Sequence, residues 1–334
     1  MYGNQRAGGC GAAMTQTGRP AASVVVTTYN WPEALRVCLE SFRHQDVGNF
    51  EVIVADDGSG PATAELIRGI GDGFPVPIRH VWHPDEGFRL AAIRNRAIDQ
   101  AAGDYIILMD GDCFVLANFV RQHLLLREPD RFLSGRRSWL GPRLTRRILA
   151  AERPPARTWP SYFLWAFAGQ VTGPFELVAA PPKLWFRYRL AERWQRAQTC
   201  NLGFWRAHCL AVGGFDERYV DHGLEDSDFV VRLIRSGVRR KEGAHGAIVL
   251  HLSHPRRQRA PGARNAALFA ELLESQRAMA GHILDAHRGK IGVAATPPSS
   301  LGLLRSPSPQ GEGEQPPSPL PLRDEVRGRG GPRG

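Results

Sequence analysis

GDYIILMDGD, residues 103–112, decides the fold. Tyr105 to Met109 form a largely apolar run that ends on two aspartates, Asp110 and Asp112, with one glycine between them. A run this short and apolar suits a strand buried on both faces, as inside a parallel sheet. Two carboxylates so close repel each other, and a divalent cation relieves that repulsion. Gly111 lets the backbone approach a ligand closely. Read alone, the pair is also an ordinary polar turn after a buried strand, so the neighbouring sequence has to decide.

Upstream, the pattern repeats. Ser23-Val24-Val25-Val26-Thr27-Thr28 predicts a buried strand that ends at Thr28-Tyr29-Asn30. Glu51-Val52-Ile53-Val54-Ala55 predicts a second, ending at Asp56-Asp57-Gly58-Ser59, and Ile78 to Trp82 a third. Asn30 is expected to cap a helix with Pro32 in its first turn and Leu35, Leu39 and Phe42 on one face. Another helix is expected over Leu90–Ala101, with Ile93, Ala97, Ile98 and Ala101 on one stripe. Strands alternating with helices predict an α/β fold, a mostly parallel sheet with helices on both faces. Ligands of such sheets bind beyond the carboxyl ends of the strands. The three polar clusters therefore fall on one rim. A carboxylate at Asp56 or Asp57 can accept a hydrogen bond from a base N–H, or simply close an Asp-Gly turn. In Gly87-Phe88-Arg89-Leu90-Ala91-Ala92-Ile93-Arg94-Asn95, Arg89 and Arg94 suit a diphosphate, and their spacing of five lets one of them point into the site.

Downstream, residues 131–200 change character. Thirteen Arg and Lys face only Glu152, Glu176 and Glu192, with tryptophans and phenylalanines interleaved and prolines breaking the stretch into pieces. Order returns with Gly213-Gly214-Phe215-Asp216-Glu217 and with Asp221 to Asp228, where four acids crowd together ahead of a helical Phe229–Arg235. Asp228 suits a first-turn acid at a helix N-terminus, and Asp226 a base that accepts a hydroxyl proton. Ile248 to His254 predicts a strand running into two histidines, His251 and His254. Beside a two-aspartate site, one of these histidines becomes a metal ligand. A last helix is expected over Ala266–Ile283. Residues 1–20 and 296–334 are rich in small residues or in Pro, Gly, Ser and Arg, and are expected to be a disordered leader and tail.

The net charge of +10 makes polyanions natural partners without choosing among them. Five scattered cysteines without a CxxC pair argue for reduced thiols, not zinc. No apolar run approaches the ~18 residues of a membrane span. The expected location is the cytoplasm, peripherally at the inner face of the membrane. No GxxxxGK[ST] or GxGxxG occurs, which counts against P-loop and dinucleotide enzymes.

In this order, the clusters resemble the family 2 inverting glycosyltransferases of the GT-A fold. TTYN, EVIVADDGS and GDYIILMDGD are similar to their nucleotide-sugar half. GGFDERYVDHGLEDSDFVVRL resembles the GGFDE…WGxED pattern of the galactosyltransferase type, found in bacterial chondroitin-synthase-like and lipopolysaccharide enzymes. The resemblance spans about residues 22–255. It implies a donor half at 21–130, an acceptor-side or membrane-proximal stretch at 131–200, and a catalytic half at 201–285. It implies a nucleotide-diphosphate sugar, with UDP first, held by Thr28, Tyr29, Asn30, Asp56, Asp57, Arg89, Arg94, Asn95 and Asp110. Asp110, Asp112 and His251 or His254 would hold Mn²⁺ or Mg²⁺, and Asp226 would be the general base. His222, Gly223 and Glu225 would face a saccharide or glycolipid acceptor. His222 stands where the pattern has Trp. Contact with an anionic membrane is expected and nucleic acid is not. The competing readings are a sugar nucleotidyltransferase, against which the lack of a Gly-rich triphosphate loop counts, and a non-catalytic basic membrane or nucleic-acid binder.

Overall fold

The valines of the first strand show how the sheet is sandwiched. Val24 and Val26 pack with one set of helices, Val25 with another, and all three are fully buried. That alternation inside an unbroken apolar run marks a strand covered on both sides. The computed structural model describes residues 18–154, 160–195, 197–255 and 261–281. The expected tail, and all but the last three residues of the expected leader, lie outside the described residues.

The strands are β1 (Ala22–Thr28), β2 (Phe50–Asp56), β3 (Ile78–Trp82), β4 (Tyr105–Asp110), β5 (Cys113–Val115), β6 (Arg131–Ser134), β7 (Arg136–Trp139), β8 (Asn201–Trp205), β9 (Arg239–Glu242) and β10 (Ile248–His251). The helices are α1 (Pro32–Phe42), α2 (Pro61–Gly71), α3 (Leu90–Asp99), α4 (Phe119–Leu126), α5 (Pro142–Ala151), α6 (Pro160–Phe167), α7 (Arg206–Ala211), α8 (Glu225–Arg235) and α9 (Ala263–Glu274). Short 3₁₀ turns cover Pro174–Leu177 and Trp185–Arg187.

The main sheet has the order β3-β2-β1-β4-β8-β6-β9, and only β8 runs against the rest. Helices α1, α2 and α4 cover one face, and α3, α7 and α8 the other. The mostly parallel α/β sheet expected from the sequence is therefore present. A small sheet, β5-β10-β7, stands beside it, packed against α5 and α6. The Arg/Trp-rich stretch begins inside this architecture, because β6 is threaded into the main sheet and β7 completes the small one. Among the described residues, no helix is long and apolar enough to cross a membrane.

Three local expectations need correction. Asn30 does not cap α1. Its backbone is left-handed (φ 47°), its Oδ1 accepts the Gly60 N–H at 2.9 Å, and Trp31 holds the cap position. The last strand stops at His251, so His254 lies in the loop that follows. Helix α9 ends at Glu274, not near residue 283. The Arg235 guanidinium takes the Leu272, Leu273 and Arg277 carbonyls, satisfying the helix end where the backbone turns extended at Ser275.

Candidate active site

The carboxyl ends of β1, β2 and β4 make the rim on which the polar clusters stand. Gly111 donates its N–H to the Thr27 carbonyl at 2.7 Å, and a Cβ there would lie 2.9 Å from that same oxygen. Only glycine lets the turn after β4 press against β1 this closely. The press sets Asp110 beside Thr27, whose hydroxyl donates to Asp110 Oδ1 at 3.1 Å. Burial first, then the nearby Asp112, push the Asp110 carboxyl up to about 6, against the pull of Arg94 and Arg137.

Asp112 leads into β5, which pairs antiparallel with β10 and puts Cys113 opposite His251. The Nε2 atoms of His251 and His254 each lie 3.3 Å from Asp112 Oδ2. His251 Nδ1 is 2.6 Å from the Leu252 carbonyl oxygen, and His254 Nδ1 is 3.2 Å from that of Pro255. A carbonyl only accepts, so both Nδ1 atoms carry the proton. Both Nε2 lone pairs then converge on a carboxylate oxygen. Three acceptors meeting there need a positive charge between them, either a proton on an imidazole or a metal cation. The proton alternative shows in His254, which Asp112 holds above the usual histidine range. Burial would raise the Asp112 carboxyl, but the His254 hydrogen bond and both imidazoles hold it below the ordinary carboxylate range. Cys113 Sγ is near enough to join Asp112 and His251, with ligand atoms within 4.8 Å of one another. Burial pushes that thiol well up, which favours the oxygen and nitrogen donors and hence an ion such as Mn²⁺ or Mg²⁺.

The acids at the start of α8 separate by their partners. Asp228 is fully buried against Arg232 (2.6 Å) and Tyr219. Glu225 is buried and pairs with Arg94 at 3.1 Å. Among the described residues Asp226 makes no salt bridge, and its Oδ1 accepts the N–H and hydroxyl of its neighbour Ser227. Burial and the adjacent Glu225 push its carboxyl up to about 6, while Arg94 draws it back. The Arg94 guanidinium acts on Asp110 and Asp226 alike, lowering both carboxyls. The turn before α8 is unusual: Leu224 has φ 76° and Gly223 φ 95°. The Asn265 amide from α9 pins this turn by donating to the Asp221 and Gly223 carbonyls at 2.8 and 2.9 Å. His222 is exposed and meets Phe88 edge-on at 5.6 Å.

The remaining expected residues divide. Asp56 and Asp57 are buried, and both are occupied. Asp56 Oδ2 faces His80 Nε2 at 2.9 Å, and its Oδ1 accepts the Ser59 N–H. Asp57 Oδ1 faces His83 Nε2 at 2.7 Å, and its Oδ2 accepts the Arg89 N–H. Tyr29 is half-exposed above them, bonded to Asp85. Thr28 ends β1 in register with Asp56. Arg94 lies beneath the rim, with Phe215 under its guanidinium at 5.4 Å, whereas Arg89 is more open and near Glu86. Asn95 is spent on the loop before α8, bonding Phe215 and Glu217.

Three neighbours escaped the sequence reading. His80 and His83 flank the end of β3, one strand over from the aspartates they bind. Arg137, on β7, stacks on Trp139 (4.1 Å), whose ring lies 4.3 Å from that of His251. The signal for His80 and His83 was their place at the rim end of an expected strand. Arg137 had none, because the pairing of β7 with β10 spans more than a hundred residues of chain.

Known proteins are similar in sequence and in fold. Residues 23–137 match glycosyl transferase family 2, and residues 185–255 match the N-terminal domain of galactosyltransferase. Chondroitin synthase of Escherichia coli is 26% identical over 70% of this chain and 35% of its own length. Hyaluronan synthase of Pasteurella multocida is 29% identical over 64% of this chain and 23% of its own. The chain thus spans about a quarter to a third of the length of these curated relatives. Mannosyltransferase PcManGT from Pyrobaculum calidifontis, solved in complex with GDP-Man and Mn²⁺, superposes with a TM-score of 0.53 at 18% identity, covering 78% of this chain and 66% of that one. That likeness gives the fold, which is the GT-A fold of glycosyltransferases. Residues 23–137 thus form a domain of the glycosyl transferase family 2 type, followed over residues 185–255 by a segment that matches the N-terminal domain of galactosyltransferase.

Proposed function

We propose that this chain transfers a sugar from a nucleoside-diphosphate donor, UDP first, to a saccharide or lipid-linked acceptor by one in-line displacement with inversion. The observation that carries the reading is the meeting of Asp112, His251 and His254 on one point. Asp110, Asp112, His251 and His254 would hold Mn²⁺ or Mg²⁺. When bound, the cation would offset the negative charge that gathers on the departing diphosphate. The mannosyltransferase of like fold was solved with GDP-Man and Mn²⁺, which supports a divalent metal.

The chain's own residues do the rest. Thr28, Tyr29, Asn30, Asp56 and Asp57 border the place for the base and ribose, with Arg89 as the open cation. Arg94 and Asn95 act from below, Arg94 by steadying Asp110, Glu225 and Asp226, and Asn95 by holding the loop before α8. Asp226 takes the proton of the acceptor hydroxyl as that oxygen bonds to the anomeric carbon and the bond to the phosphate oxygen breaks. A carboxyl near 6 is still largely ionised at neutral pH, yet basic enough to accept a proton. His222 and Gly223 border the acceptor, and Glu225 backs them through Arg94. Contact with an anionic membrane at the inner face belongs to the same reading.

The test is a thermal-shift and turnover screen of UDP- and GDP-sugars, with and without Mn²⁺. The expected result is one donor that raises Tm, and is slowly hydrolysed, only with the metal. Neither effect with any donor would favour a non-catalytic basic binder.

A further inference from the structure

The face made by α6 and the two 3₁₀ turns carries side chains that water does not favour. Of the eight residues of α6, only Tyr162 is fully buried. Leu164 is 74% exposed and Phe167 89% exposed. Phe175 and Trp185, on the 3₁₀ turns, are exposed by 71% and 66%. Contacts run from α6 across both 3₁₀ turns. Phe163 meets Phe175 at 5.2 Å, the Phe175 carbonyl holds His245, His245 meets Phe186 at 6.1 Å, and Phe186 meets Trp185 at 6.4 Å. Single exposed apolar residues are ordinary, but four large ones on elements in mutual contact mark a surface that meets a partner.

The rim of the strip is cationic. Arg189 lies over Trp185 at 5.1 Å and Arg147 over Trp165 at 5.4 Å. Arg143, Arg146 and Lys183 are also exposed. Against these stand few acids, Glu152, Glu176 and Glu192 within residues 142–195. A second copy would bring the same positive rim against itself, in a chain whose net charge is already +10. Apolar aromatics ringed by guanidinium groups instead match a lipid surface, with rings at the headgroup level and cations on anionic headgroups.

We propose that this face docks the protein on a membrane that contains anionic lipid, with Leu164, Phe167, Phe175 and Trp185 entering the interface. Through α5 the face is joined to the site, because Thr145 Oγ1 accepts the Ser253 N–H between the two histidines. Docking would therefore present the rim to an acceptor at the lipid surface, and in that respect alone it rests on the reading above.

The experiment is co-sedimentation of the full chain with vesicles of phosphatidylcholine alone, or mixed with phosphatidylglycerol in roughly equal parts. Binding should be at least about tenfold tighter to the mixed vesicles and fade as salt is raised. Leu164→Ser combined with Phe167→Ser should weaken it by roughly tenfold more, with an unchanged melting curve, since both side chains are exposed. Wild-type protein that ignores the mixed vesicles, or a double variant that binds as wild type does, overturns the proposal. So does a double variant that merely converts a dimer to a monomer in sedimentation velocity. Metal-dependent donor hydrolysis without lipid is read in parallel, and its loss would count against the transfer reading, not against docking.

Discussion

Two pairs of acids stand at equivalent places on the rim, yet they are in opposite states. Asp56 and Asp57, after β2, each hold an imidazole and a backbone N–H, so all four oxygens have donors. Asp110 and Asp112, at the end of β4, meet one hydroxyl donor, the weak Cys113 thiol donor and two histidines whose outer protons are given away to carbonyls. The first pair is satisfied by the protein itself. The second needs a proton or a cation between the imidazoles and the carboxylate. Position in the fold makes both pairs candidates, and the kind of partner tells them apart.

The comparison breaks most directly at Asp112. Asp112→Ala should abolish transfer while Tm stays within a few degrees, since β4 and β5 keep their packing. Asp57→Ala, its counterpart, should leave measurable turnover and mainly weaken donor binding. Equal losses for the two variants, or activity that survives EDTA, would erase the distinction.

Asp226 sharpens the comparison from the other side of the site. Asp226→Asn should lower kcat by ~10²–10⁴ with donor affinity little changed. The sign with pH follows from the direction of its shift. Burial and Glu225 raise the carboxyl to about 6, and the base works only when deprotonated. Wild-type kcat should therefore fall as pH drops through about 6 and level off above it, and the Asn variant should lose that limb. A limb that persists in the variant would assign the titration to another group.

His251→Gln removes one of the converging lone pairs. Metal affinity should fall by roughly 10–100-fold, with activity restored at higher Mn²⁺. An unchanged Mn²⁺ dependence would leave His254 as the working ligand. The smallest effect is expected at the satisfied pair. His80→Ala leaves a buried Asp56 oxygen short of a partner, and it should cost about 1–3 kcal/mol of stability with donor affinity nearly unchanged. Chemical denaturation read beside donor titration would separate the two.

The sequence reveals what is local. Strands β1, β2 and β4 and the rim clusters could be read because a buried parallel strand writes its burial into a continuous apolar run, and the polar residues fall where the run stops. Asp226 stood out for its chemistry, although only the partners of Glu225 and Asp228 show why it is the free acid. The long-range pairings are not written that way. Nothing in RFLS or RRSW says that one enters the main sheet between β8 and β9 while the other pairs with β10. The imidazoles on Asp56 and Asp57 and the approach of Arg137 to the histidines depend on such pairings. Asn30 misled because an asparagine before a proline fits a helix cap, while the real contest was won by the Gly60 N–H across the rim.

The pin from Asn265 bears on the order in which the working site comes into being during synthesis. The chain leaves the ribosome from its N-terminus, and domains generally fold as units when enough of them has emerged. The aspartates after β4 are made first, their histidine partners about 140 residues later. The α9 helix that holds the turn with the left-handed Leu224 comes last among the described elements. A nascent chain released after His254 would possess every proposed metal ligand and the base itself, yet lack the clasp on the turn that aims that base. Assembly is thus sequential, with the proposed cation-holding part complete before the proton-accepting part is fixed in place.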